Sequence, residues 1–151
     1  MILRDITAIE LSELGNRINE NILITGNTAL SMNNLIYDST PITISTNIKN
    51  LNCTPGENYW REFYHFKDLS NCKEIADRVY LPIPERAIID AVVWLPENCN
   101  EGQLVEALQT YQDKIGKINE LYKLADYYKI PRYFIDYWWK EAEEESDMSM
   151  G

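Results

Sequence analysis

The chain is poor in the residues on which most enzymatic chemistry depends. It has a single histidine, His65, among 151 residues. A histidine metal cage and a Ser-His or Cys-His dyad would all have to start from that one imidazole, and the sequence places no nucleophile beside it. His65 sits in an aromatic stretch, Tyr64-His65-Phe66, and reads as a packed or half-exposed strand residue. The three cysteines, Cys53, Cys72 and Cys99, are too widely spaced for a Cys-x-x-Cys motif, and their odd number argues against a disulfide framework. There is no Gly-x-Ser-x-Gly elbow and no Gly-x-x-x-x-Gly-Lys phosphate loop. No apolar run approaches the ~20 residues that span a bilayer. The opening Met1-Ile2-Leu3-Arg4-Asp5-Ile6 lacks the basic start and apolar core of a secretion signal. Free thiols in a reducing cytoplasm are therefore expected, with no cofactor, no metal and no membrane association.

Positive charge is scarce as well. There are 14 Lys and Arg against 24 Asp and Glu, a formal net charge of −10. Such a field repels phosphate backbones, so direct DNA binding is not expected. Aromatic residues, by contrast, are plentiful: ten Tyr, four Trp and three Phe. With 45% apolar residues, a chain of this length can bury one globular core without staples.

The patterning predicts one α+β domain over 1–151: a small mixed sheet with N-terminal helices and a C-terminal helical half. Ile6, Ile9, Leu11, Leu14 and Ile18 mark a helix near 5–20, with Gly15 as a weak point. Ile22-Leu23-Ile24 is a short apolar run. A short helix follows, carrying Ala29, Leu30, Met32 and Leu35 and limited by Asn33-Asn34. Strands are expected at Ile42–Thr46, Trp60–Phe66 and Arg78–Leu81, with a turn at Pro55-Gly56. From Pro84 the pattern is helical. Ala87, Ile88, Ala91, Val92 and Leu95 line a first helix that closes at Pro96. Further helices cover Glu101–Asp113, Lys117–Lys129 and the stretch from Pro131. The acidic run Glu141–Glu145 opposes the dipole at that helix's end, so 141–151 is expected to fray.

Glu85, Arg86 and Asp90 form the most structured polar cluster. Arg86 and Asp90 are four apart and share a helix face, whereas Glu85 diverges from Asp90. Their apolar neighbours Ala87, Ile88, Ala91 and Val92 predict a partly buried, structural ion pair; the alternative is an anion site built on Arg86. A second cluster is aromatic. Tyr133, Tyr137, Trp138 and Trp139 exceed what one helix of a small domain readily buries, which makes them a candidate protein interface.

Three stretches carry a family resemblance: Ile24-Thr25-Gly26-Asn27-Thr28-Ala29-Leu30-Ser31, Pro41-Ile42-Thr43-Ile44-Ser45-Thr46 and Pro84-Glu85-Arg86-Ala87-Ile88-Ile89-Asp90-Ala91. Over about residues 20–140 the chain resembles the C-terminal domain of AbiEi-family antitoxins of type IV toxin–antitoxin and abortive-infection systems. The resemblance implies a non-enzymatic antitoxin whose partner is a nucleotidyltransferase-like toxin. The family's N-terminal winged helix-turn-helix has no counterpart in the twenty or so residues before the match. Two alternatives stand beside it. One is an acidic phage or mobile-element inhibitor of a nucleic-acid-binding defence protein. The other is a degenerate nucleotidyltransferase, because Thr25-Gly26-Asn27-Thr28-Ala29-Leu30 is similar to the Gly-Gly-x-Ala-Leu start of such enzymes. They need an Asp-x-Asp on the next strand to hold Mg²⁺, and here that strand offers Thr43 and Ser45.

Overall fold

The computed structural model describes residues 2–37, 42–45, 58–60, 69–93, 100–114 and 116–150. Six helices and a five-stranded mixed sheet occupy them, an α+β arrangement with its helical half at the C-terminus. Helix α1 (Ile2–Ile18) leads into strand β1 (Ile22–Ile24), helix α2 (Gly26–Met32) and strands β2 (Ile42–Ser45), β3 (Asn58–Trp60), β4 (Cys72–Ala76) and β5 (Val79–Pro82). Helices α3 (Pro84–Val93), α4 (Glu101–Lys114), α5 (Ile118–Tyr127) and α6 (Arg132–Met150) complete the chain. The strand order is β3-β2-β1-β5-β4. β1 runs antiparallel to β2 and parallel to β5; β2 and β3 are parallel, and β4 and β5 antiparallel.

β1 is the middle of the sheet and is apolar at every position. Ile22, Leu23 and Ile24 are all buried, and successive strand side chains point to opposite faces, so both faces are covered there. Helix α1 packs on β1, β4 and β5, while α2 packs on β2 and on α3. The buried stripe of α1 is Ala8, Leu11 and Leu14, with Ile18 partly buried. Ile9, expected in that stripe, is 58% exposed because helical periodicity puts it on the opposite side of α1 from Leu11 and Leu14.

Helix stops follow from asparagine chemistry. After α2, Asn34 adopts a left-handed backbone (φ 61°), its N–H donates to Ser31 O at 2.9 Å, and the Leu35 N–H donates to Leu30 O at 2.9 Å. That pair of bonds is a Schellman stop, and Asn tolerates the left-handed position. The Asn33 amide donates to Ala29 O (2.9 Å) and to Pro82 O (3.0 Å), which fastens the end of α2 to β5. The predicted brevity of this helix is therefore observed.

Strand β4 was not anticipated. Its residues Cys-Lys-Glu-Ile-Ala show no alternation, because β4 lies at the sheet edge and Lys73 and Glu74 are exposed. Its hairpin to β5 also lacks a turn signature. Arg78 takes the left-handed position (φ 64°) that Gly or Asn usually fills. Local bonds offset the strain. The Arg78 N–H donates to Glu74 Oε2 at 3.3 Å, its guanidinium to Asn19 Oδ1 at 2.7 Å, and its carbonyl accepts from the Ile22 N–H at 2.7 Å. A strand is observed at Asn58–Trp60, which shares Trp60 alone with the predicted Trp60–Phe66. The rest of that segment with His65, the Pro55-Gly56 turn, and Leu95 with Pro96 lie outside the described residues.

The tail reading needs correction. The acidic run is not a frayed end in this structure but part of α6, which continues to Met150. Ala142 is fully buried, its carbonyl accepts from Gln109 Nε2 at 3.3 Å, and glutamates are good helix formers, so the helix is carried through the run.

Gly15 sits where α1 packs closely against the start of β1 and the β4–β5 turn. A Cβ there would stand 2.9 Å from Glu20 O, 3.2 Å from Arg78 Cβ and 3.3 Å from Ile22 Cγ1. Glycine thus serves close packing rather than weakening the helix. Gly15→Ala should destabilise the fold by about 1–3 kcal/mol, the usual cost of overpacking a well-packed site. Urea unfolding followed by circular dichroism checks this; a variant as stable as the parent or more so would show that α1 can move away freely.

Candidate functional site

Helix α3 is surrounded. Arg86, Ala87, Ile88, Ile89, Asp90, Ala91 and Val92 are all buried, and the helix contacts α2, α4, α5, α6 and β5. A helix apolar all round belongs inside a domain. This one carries a cation and an anion into that interior.

Arg86 and Asp90 both have fully buried side chains, and Arg86 Nε donates to Asp90 Oδ1 at 3.2 Å. Arg86 Nη1 donates to Ser70 O at 2.8 Å and to Cys72 Sγ at 3.3 Å. The guanidinium carbon lies 5.1 Å from the centre of the Tyr128 ring. Burial alone would push the Arg86 pKa down, but the combined attraction of Asp90, Cys72 and Tyr128 holds it above its ordinary value. The side chain stays a cation, and these four partners are protein groups from three places in the fold: α3 itself, the start of β4 and the end of α5.

Tyr128 owes its position to the way α5 ends. It is the C-cap residue; Lys129 follows in a left-handed conformation (φ 61°), and the Ile130 N–H donates to Ala125 O at 2.7 Å. This second Schellman stop turns the Tyr128 ring toward Arg86. The Tyr128 hydroxyl lies 2.8 Å from Ser70 Oγ, donates to Ser70 O (3.1 Å) and accepts from Asn71 Nδ2 (3.2 Å). Ser70 O thus accepts from both Arg86 and Tyr128. Asn71, with φ 57°, turns the chain at this point, and its carbonyl accepts from the Ile83 N–H at 2.9 Å.

Glu85 belongs to a separate contact, as its spacing implied. Tyr111 donates its hydroxyl to Glu85 Oε2 at 2.9 Å. Burial, and then the hydrogen bond to Glu85, raises the Tyr111 pKa far above the usual phenol value. The Tyr111 ring also meets Trp139 edge-on at 6.2 Å.

The four aromatic residues expected at an interface divide. Tyr133 and Tyr137 are 63% and 57% exposed. Trp138 and Trp139 are instead half-buried against the core. Gln112 Nε2 donates to Trp139 O at 3.1 Å, which fixes this turn of α6 to α4. Phe134 is 41% exposed beside Tyr133. Sequence reading missed the Ser70, Asn71, Cys72 and Tyr128 side of the arginine site. These are single polar residues whose only common signal is a fold that brings both stretches to Arg86.

Among the described residues, no group of three or more His, Cys, Asp or Glu is placed to hold a metal ion. No helix among them is long and apolar enough to cross a membrane. Cys72 is not part of a disulfide. No family model, curated protein or solved structure matches the chain.

Two predictions follow from this geometry. Arg86→Ala leaves a buried carboxylate and should cost about 3–5 kcal/mol. At about 2–4 °C per kcal/mol for a domain of this size, the melting temperature should fall by about 10 °C. Arg86→Lys should restore little, since an ammonium supplies neither the planar fork nor the stacking face. The paired change Arg86→Met with Asp90→Leu should recover most of the loss. A melt for Arg86→Ala that matches the parent refutes the structural role.

The second concerns alkaline pH. The folded state keeps Tyr111 protonated beyond the point where the unfolded chain releases that proton, near pH 10. Its contribution is fully present below that pH and is lost as pH rises toward the folded value. Denaturation midpoints should therefore hold between pH 8 and about pH 10 and fall above it, and Tyr111→Phe should flatten the decline. An unchanged slope in that variant would assign the alkaline loss to other groups.

Proposed function

We propose that this protein is a non-enzymatic, antitoxin-like module that acts in the cytoplasm by protein contact, with a nucleotidyltransferase-like toxin as its partner class. The supporting observation is spatial. The stretches that carry the AbiEi resemblance, far apart in sequence, fall on β1–α2, β2 and α3, and α2 packs on both β2 and α3. The Glu-Arg-Ala-x-x-Asp-Ala segment forms the central helix of that unit, and its Arg86–Asp90 pair is buried among protein partners. This favours the structural reading of Arg86 over an anion site.

The nucleotidyltransferase alternative fares less well on the same elements. An enzyme of that kind needs the turn after β1 open to a triphosphate, yet Thr25, Asn27 and Thr28 are buried. The positions on β2 that would carry metal-binding aspartates are Thr43 and Ser45. The acidic-inhibitor alternative gains one point: the Glu141–Glu145 run is helical, so its charges are displayed in fixed rows. Both remaining readings work by contact with a protein.

Growth assays separate them. Co-expression with nucleotidyltransferase toxins of type IV systems should restore colony formation for at least one toxin. The purified chain, incubated with Mg²⁺ and each labelled nucleotide, should transfer no label to RNA or protein. Failure to rescue across such a panel removes the antitoxin reading. Label transfer that disappears with Thr43→Ala or Ser45→Ala establishes an enzyme instead.

A further inference from the structure

We propose that the outer face of α6, where Tyr133, Phe134 and Tyr137 are followed by Glu141, Glu144 and Glu145, docks a polypeptide segment that presents Lys or Arg beside an apolar anchor. This rests on the protein-contact reading above and names the chemistry of the partner. Helical periodicity sets Tyr133, Tyr137 and Glu144 in one row and Phe134, Glu141 and Glu145 in the next. The core-facing Ile135 and Ala142 lie on the other side of the helix. At 1.5 Å per residue the stripe is about 18 Å long, aromatic in its first half and anionic in its second.

The rings are braced. Tyr133 and Phe134 have centroids 4.4 Å apart, and Tyr137 stands edge-on to Trp138 at 5.0 Å. Such rings offer large contact area at low entropic cost. Three large exposed rings on adjacent turns form the kind of patch that marks a contact surface in soluble proteins.

Charge selects the occupant. Residues 132–145 contain five carboxylates and two cations. Arg132 is already held by Asp126 through bonds of 3.1 and 2.6 Å, and Lys140 lies 4.0 Å from Glu144. A nucleic acid is repelled by this field, whereas a basic segment is attracted. Among the described residues a guanidinium lies over a tyrosine ring twice, Arg86 on Tyr128 and Arg132 on Tyr122 at 4.6 Å, and exposed tyrosines offer the same face to a partner's cation.

The test uses the full chain labelled with ¹⁵N and three synthetic probes: an amphipathic Leu/Lys helical peptide, its Leu/Glu counterpart and a Lys/Ser peptide. The Leu/Lys peptide should bind, with amide shifts concentrated at 132–145. Both other peptides should bind at least about tenfold more weakly. The double variants Tyr133→Ser/Tyr137→Ser and Glu141→Lys/Glu144→Lys should each weaken the Leu/Lys peptide about tenfold while keeping the parent's thermal melt. Shifts scattered over the molecule, equal binding of the Leu/Glu peptide, or no effect of either double variant overturns the proposal. So does a parent dimer in sedimentation that the tyrosine variant dissolves, which gives the face to a second copy. Toxin rescue that survives both double variants keeps the antitoxin reading and removes this surface. Localised peptide binding without any rescue upholds the surface and removes the antitoxin reading.

Discussion

The architecture depends on keeping one cation out of water. Arg86 sits in a helix with no solvent face, and a guanidinium in that position is tolerable only if its donors and its flat face are all used. Asp90 supplies charge, the β4 approach supplies Ser70 O and Cys72 Sγ, and the end of α5 supplies the Tyr128 ring. These partners come from α3 itself, from the start of β4 and from the end of α5. Satisfying one side chain therefore fixes the sheet edge, the central helix and the C-terminal helices relative to one another. Apolar packing against α3 provides the bulk of cohesion, but it is non-directional. The arginine adds direction: its hydrogen bonds are met in one arrangement of those elements.

The same helix shows how much the sequence discloses. Pro84, the apolar residues at 87, 88, 91 and 92, and the four-residue interval from Arg86 to Asp90 suffice to predict a buried ion pair, because all of that information is local. The strand at Ile42–Ser45 and the helices carrying Leu104, Leu108, Leu121 and Ile135 are legible for the same reason: periodicity and propensity agree. What was not legible is non-local. Asn71 and Tyr128 meet although 57 residues separate them, and neither has a neighbour that announces the contact. Strand β4 escaped notice because an edge strand needs no alternation and because Arg78 stands where a turn glycine was to be expected.

The candidate interface was half visible for a related reason. The count of aromatic residues in α6 showed that some must be exposed, but not which. Trp138 and Trp139 are half-buried against the core, where α4 reaches α6 through Gln112 to Trp139 O and Gln109 to Ala142 O; Tyr133 and Tyr137 remain exposed. Only the packing of α4 against α6 decides between the two pairs. The acidic run illustrates the opposite error. Its charge opposes the helix dipole, a real but small effect, whereas a buried Ala142 and continuous helix-forming residues act over several turns.

The order in which the arginine's partners leave the ribosome has a consequence for biosynthesis. Ser70 and Cys72 precede Arg86, Asp90 follows within one turn, and Tyr128 arrives only after the whole of α4 has been made. Parallel pairing of β1 with β5 likewise waits until Pro82 has emerged. Long-range closures of this kind are slow steps in folding. A nascent chain halted before Tyr128 holds its most costly side chain against an unfinished wall, with the apolar sides of α3 open to water. Synthesis of Tyr128 thus closes the arginine's surroundings, so a product truncated before it is marked by exposed apolar surface that chaperones and proteases recognise.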